Sequence, residues 1–378
     1  MSDDPSIRLA LYFTRGMSLR AWDESGSFDR EVALYRRLQR EGVDITFVTH
    51  GDGRDLALQE RLPGFRILCN RWRLPSRLYR PLMARLHSSG LRRVNVIKTN
   101  QTLGADLALA AAQRHGKPLI ARCGFMLSFN EAQDHGADSP RAREALALEE
   151  KAFRAAMRVV VTTDRMRASV LNRMPELANR VTVIPNYVDT ELFSPAERLP
   201  TGKARLAFVG RLSPEKNLLA LTEALKGLDA DFDIIGDGPL RPQLEDAARE
   251  NPRIRLLGSL ANTQLPAQLR KATAYVQTSL FEGHPKTVIE AMACGLPVIG
   301  TDVPGIREVV HDGETGLLCG TDAKAIRGAL ERMLSDGALR DRMGAAARRH
   351  AVAHFSLDRI VEDELALLRA VLNEHRGA

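Results

Sequence analysis

The stretch FEGHPKTVIEAMACGLPVIGTDVPGIREVV, residues 281–310, decides how this chain is read. Pro285 suits the first turn of a helix, Lys286–Ala293 is built of helix formers with Val288, Ile289 and Met292 on one side, and Cys294-Gly295 ends it. Glu282 therefore falls in the loop before the helix and Glu290 inside it, about 12 Å further on if all eight steps are helical. The first N–H groups of a helix lack intrahelical acceptors and sit at the positive end of its dipole, which suits an oxygen-rich ligand near Lys286 and Thr287. Two carboxylates so placed can hold two polyols joined by a diphosphate. Taken singly, Glu282 also reads as a helix cap and Glu290 as a solvated charge, so the neighbouring segments carry the decision.

Upstream, LAFVGRLSPEKNLLALTEAL (206–225) places Arg211 after a strand and Lys216 at the start of a helix opened by Ser213 and Pro214. Arginine grips phosphate oxygens in pairs and lysine adds a point charge, so the two together can neutralise a departing diphosphate. In FDIIGDGPLRPQL (232–244), Gly236, Asp237 and Gly238 form a tight strand-to-helix turn that lets a flat base approach the backbone. Both segments follow the carboxyl end of a strand, where open α/β sheets bind ligands.

The same alternation runs through the chain. Strand-like runs at 7–13, 44–49, 94–98, 118–122 and 158–163 are separated by amphipathic segments at 28–40, 103–114 and 141–157. After VIPNYVDTELFSP (183–195) the pattern restarts, with strands expected at 205–209, 232–235, 253–257, 274–277 and 297–300. The expectation is an α/β chain of two Rossmann-like domains, 1–188 and 189–356, facing a central cleft, with 357–378 as a terminal helix crossing back to the first domain.

Composition narrows the class. Apolar residues at 44% and charged residues at 27% are ordinary for a globular chain, and no stretch approaches the roughly 18 apolar residues of a spanning helix. The acidic start MSDDPSIRLALYF does not have a signal-peptide layout, so a cytoplasmic location is expected. Cys69, Cys123, Cys294 and Cys319 are scattered without metal-site spacing and read as reduced structural thiols. The net charge of +7 is uneven: residues 61–105 contain no Asp or Glu. Within them RWRLPSRLYRPLMARLHSSGLRR (71–93) mixes Arg71, Arg73, Arg77 and Arg80 with Trp72, Leu74, Leu78 and Tyr79, a composition suited to an anionic membrane surface or to a solvated basic face. No nucleic-acid motif accompanies it, so nucleic acid is not an expected partner.

Together the segments 183–195, 208–217, 234–239 and the Glu282…Glu290 pair resemble family-4 retaining glycosyltransferases of the GT-B fold, the glycosyl transferases group 1. The resemblance implies a nucleotide-diphosphate sugar donor, retention of anomeric configuration, no metal, and a saccharide or lipid-linked acceptor. It implies that Arg211 and Lys216 bind the diphosphate, Glu282 the transferred sugar and Glu290 the ribose, with Gly236, Asp237 and Gly258 flanking the base. Ser25-Gly26-Ser27 resembles the family's loop near the donor phosphates, with Ser27 where a second glycine is usual. His284 is a candidate contact to sugar or phosphate, or a plain polar loop residue. Many relatives carry a histidine near the end of the strand at 118–128; here Arg122, Cys123 and Gly124 stand instead, and Arg122 is open to an anionic acceptor or a structural role. A nucleotide-sugar epimerase, a phosphorylase and an inactive sugar-nucleotide-binding protein are the alternatives. A nicotinamide dehydrogenase is disfavoured because Thr14, Arg15, Gly16, Met17 and Ser18 replace a glycine-rich fingerprint.

Overall fold

Apolar runs that are hydrophobic on both faces form central strands of parallel sheets, with helices covering each side. A computed structural model describes residues 6–197 and 202–377 of the chain, so the acidic start at 1–5 lies outside the described residues. It divides into two units, one running to Pro185 and including residues from Ile360 onward, the other Asn186–Arg359.

The first unit carries seven parallel strands: β1 (Arg8–Tyr12), β2 (Asp44–Asp52), β3 (Arg66–Asn70), β4 (Val96–Thr99), β5 (Leu119–Cys123), β6 (Arg158–Val161) and β7 (Val181–Val183). Their order is β3-β2-β1-β4-β5-β6-β7, so the chain grows to one side of β1 and then reverses to β4 on the other. Ala10, Tyr12, Ile97, Ala121, Val159 and Val161 form the core with Ala105, Ala108, Ala112 and Phe153 from the covering helices. The basic segment supplies β3 and the helix Ser76–Leu86, whose Tyr79 and Met83 turn into this core. Tyr79 and Met83 are thus taken into the core, while Trp72 and Leu78 stay exposed.

The second unit has β8 (Arg205–Val209), β9 (Asp231–Ile235), β10 (Ile254–Gly258), β11 (Ala274–Gln277), β12 (Val298–Thr301) and β13 (Gly316–Cys319), in the order β10-β9-β8-β11-β12-β13. Here the reversal lies between β8 and β11. Ligands of open α/β sheets bind at such a switch point, beyond the carboxyl ends of the strands.

The terminal helix Leu357–Gly377 belongs to the first unit from Ile360 on. There the buried Glu364 carboxylate pairs with the Lys98 ammonium of β4, and Arg158 of β6 pairs with Glu374. Strands β3, β7 and β13 were not expected from sequence; β7 and β13 are three and four residues long, and β3 hides among arginines.

Candidate active site

At the switch point of the second unit, two loops are stitched together. Leu280 N donates to Glu215 O at 2.8 Å, and Thr278 Oγ1 donates to Lys216 O at 3.0 Å. This seats the residues after β11 against those after β8. Lys216 does not open a helix as its sequence suggests. Pro214–Lys216 is a single tight turn, Asn217 takes the left-handed conformation with φ of 55°, and the helix begins at Leu218. Asparagine tolerates that conformation, and the reversal turns Lys216 back toward β11.

Lys216 Nζ lies 2.6 Å from Glu282 Oε1. The same oxygen accepts from Gln277 Nε2 at 2.9 Å and from Ser279 Oγ at 2.8 Å. Three donors converge on Oε1, while Oε2 has no hydrogen bond among the described residues. Behind them the buried Tyr275 hydroxyl lies 2.9 Å from Gln277 Oε1 and 2.9 Å from Thr287 Oγ1. Burial raises the Tyr275 pKa, so it stays a protonated phenol. Glu282 and the helix start are therefore linked through Gln277, Tyr275 and Thr287.

The helix Lys286–Ala293 has Pro285 as its cap residue, and no side chain caps its start. Glu290, one turn beyond Thr287, is buried, and its Oε1 accepts from Asn262 Nδ2 at 2.9 Å. Gly305 in the second half of the deciding stretch explains part of its composition. A Cβ there would come within 2.3 Å of Glu282 O, so only glycine lets this turn pack under the Glu282 loop.

The loop after β9 is equally tight. Gly236 N donates to Gly258 O at 2.8 Å, and Leu212 N donates to Asp237 O at 2.9 Å. Gly236 has φ of 141°, and a Cβ on it would meet Gly210 O at 1.9 Å. The Asp237 carboxylate is exposed and turned to its own loop, accepting from Gly238 N at 2.7 Å and from Arg241 Nη1 at 3.1 Å.

Two expected members stand apart from this group. Arg211 follows β8, but its exposed side chain forms no hydrogen bond or ion pair with Lys216 or either glutamate. His284 is buried, with Asn186 N donating to its Nδ1 at 3.3 Å and the Phe355 ring 5.3 Å from its own. Its hydrogen bonds with Asn186 tie the 183–195 segment to this loop. Gln277, Ser279, Tyr275 and Asn262 went unremarked in the sequence; a polar Gln ending an apolar strand was their one signal.

In the first unit Gly26, with φ of 70°, forms the turn between the helices Leu19–Glu24 and Phe28–Arg40. Ser25 Oγ and Ser27 Oγ are 2.8 Å apart and bond within that turn. Arg122 N donates to Thr99 Oγ1 at 2.9 Å and its Nη1 to Asn100 O at 3.2 Å, across the ends of β4 and β5. Cys123 is buried and its thiol is pushed up to about 12, so it is no nucleophile at neutral pH. All four cysteines are free.

A lysine–carboxylate pair, a helix start without a side-chain cap and a buried second carboxylate, together at a sheet switch point, form a site suited to a polar, anionic ligand. Residues 189–350 match the model for glycosyl transferases group 1 and residues 32–192 that for Glycosyltransferase Family 4, so the chain belongs to this family of glycosyltransferases. It is 28% identical to a D-inositol 3-phosphate glycosyltransferase from Salinispora tropica over 92% of this chain and 80% of that protein. It is 29% identical to a glycogen synthase from Mycobacterium tuberculosis, over 70% and 66%. The fold matches a sucrose-phosphate synthase from Thermosynechococcus elongatus with a TM-score of 0.82 at 22% identity, covering 97% of this chain and 100% of that one. It matches Anabaena HepE, solved with UDP-glucose, with a TM-score of 0.76 at 17% identity over 96% and 100%.

Proposed function

We propose that this glycosyltransferase moves a sugar from a nucleoside-diphosphate donor, with retention and without a metal, to a saccharide or lipid-linked acceptor in glycan or cell-envelope polysaccharide synthesis. The observation that carries this reading is Glu282, saturated on Oε1 by Lys216, Gln277 and Ser279 and open on Oε2. The open oxygen accepts from hydroxyls of the transferred sugar. Glu290 accepts from the ribose, and Gly236 and Gly258 bring backbone to the base. As the glycosidic bond breaks, negative charge grows on the diphosphate. Lys216, Arg211 and the N–H groups at Lys286 and Thr287 supply fixed positive potential for it, which is the role a metal would otherwise fill.

HepE, similar in fold, was solved with UDP-glucose, which makes uridine donors the first to try. Thermal shift with a panel of nucleotide sugars, followed by donor hydrolysis with and without EDTA, tests the reading. A donor at 100 times its Kd stabilises by roughly 2.7 kcal/mol. Silence toward every donor sinks the proposal, and activity abolished by EDTA sinks its metal-free part.

The peripheral membrane location rests on a narrower patch than the whole basic segment. Trp72 is 37% exposed and Leu78 50%, beside exposed Arg71, Arg73 and Arg77, with the Arg71 guanidinium 4.9 Å from the Trp72 ring centroid. Among the described residues no helix is long and apolar enough to cross a membrane. Sedimentation with phosphatidylglycerol vesicles should be lost when Arg71, Arg73 and Arg77 become Glu; undiminished binding rules the patch out.

A further inference from the structure

Lys216, Glu282 and Glu290 lie in the second unit, while the switch point of the first sheet carries charged side chains of its own. After β1 the chain turns through Arg15, whose N donates to Leu103 O at 2.9 Å, just past β4. His50, near the end of β2, donates its backbone N–H to Met17 O at 3.0 Å and so sits beside the Arg15 loop. Tyr79 OH donates to Thr49 O at 3.2 Å, which seats the helix Ser76–Leu86 on the same end of β2 and brings Arg80 there. Burial of the His50 ring, helped by the nearby charges of Arg80 and Arg15, pushes its pKa down to about 4, so it is neutral at pH 7.

The two guanidinium groups are incompletely used. Arg15 is held through Nη2 by Asp106, at 2.7 and 2.8 Å, but its Nε is buried with no acceptor among the described residues. Arg80 Nε is likewise buried without an acceptor. Buried N–H groups are almost always hydrogen-bonded, and guanidinium edges are shaped for oxyanions. Asp106 offsets one of the two positive charges and His50 adds none, so the cluster keeps a net positive charge.

We infer that Arg15 and Arg80, at the carboxyl ends of β1 and β2, bind a phosphate group carried by the acceptor. This inference rests on the transferase reading, because it assigns the first unit to the second substrate. It also moves Arg80 out of the membrane-facing set.

The test is calorimetric titration of the full-length chain with inorganic phosphate and with glucose 6-phosphate, alongside sedimentation with phosphatidic acid vesicles and a UDP titration. Saturable phosphate or sugar-phosphate binding is expected, weakened about tenfold or more in Arg80→Gln and in Arg15→Gln, with UDP affinity unchanged. Arg80→Gln breaks no ion pair, so it stays informative if Arg15→Gln, which releases Asp106, lowers the melting temperature. Vesicle binding alone, lost in Arg80→Gln, would assign the phosphate to a lipid carrier. No binding of any phosphate probe, binding indifferent to both variants, or a parallel loss of UDP affinity would overturn the inference. Failure of the transferase reading shows separately, as silence toward all nucleotide sugars.

Discussion

Lys216 Nζ and Glu282 Oε1 lie 2.6 Å apart across 66 residues of sequence, the point where the loops after β8 and β11 become one site. The pair keeps each member in place before any donor arrives. Glu282→Ala should lower turnover by about 100-fold or more with little change in nucleotide affinity, as expected when a group acts on the reacting sugar. Lys216→Ala should both raise the donor KM and lower kcat, since it removes a phosphate contact and loosens Glu282. Steady-state donor kinetics separate the two patterns, and wild-type kinetics in both variants would dissolve the site.

Glu290 should act on nucleotide binding. Its Oε1 accepts from buried Asn262 at 2.9 Å, so Asn262→Ala should resemble a weaker Glu290→Ala. Loss of a charged hydrogen-bond acceptor is worth about 1.5–3 kcal/mol, or roughly ten- to a hundredfold in Kd for the free nucleotide. Unaltered nucleoside-diphosphate affinity by calorimetry would remove Glu290 from the site.

Gly236→Ala should cost stability as well as binding. The new methyl would meet Gly210 O at 1.9 Å with φ at 141°, so the β8 and β9 loops must part. A loss of about 2–4 kcal/mol in urea denaturation is expected. Gly53→Ala, at a site where a Cβ meets nothing within 4 Å, is the control and should stay within about 0.5 kcal/mol.

Lys98 and Glu364 form a buried ion pair that fastens the terminal helix to β4. Lys98→Met leaves a buried carboxylate unpaired and should cost about 3–5 kcal/mol. Adding Glu364→Leu should return stability to near that of the parent, because the paired charges gain little net over apolar packing. A double variant as unstable as the single one would contradict this.

Acid should weaken the fold. Burial depresses both His87 and His350 from 6.5 to about 4. Between about pH 4 and 6.5 the unfolded chain therefore binds more protons than the folded one, so stability rises with pH across that window and falls on acidification. The melting temperature should drop from pH 7 to pH 5, and His87→Gln, which keeps a partner for Tyr79 OH at 2.8 Å, should flatten part of the slope. A pH-independent melting temperature would count against it.

The doubly wound plan, most strands and the helix Lys286–Ala293 were legible because they are local. Apolar runs, prolines and glycines report their own backbone state. Strands β3, β7 and β13 were missed because arginine-rich or very short segments become strands only by pairing with a neighbour. Glu282 and Glu290 were visible through their spacing with the helix, whereas Gln277, Ser279 and Asn262 were not, since each matters only through a carboxylate it touches.

The sequence alone determined that two rounds of strand and helix would form, and which carboxylates and cations would stand at strand ends. Tertiary structure alone decided that Lys216 pairs with Glu282, that His284 turns inward, and that Arg80 comes near His50 beside β2. Spacing along one element constrains direction to within a turn of helix, but contact between elements depends on how loops reverse and on which side chains the core takes in.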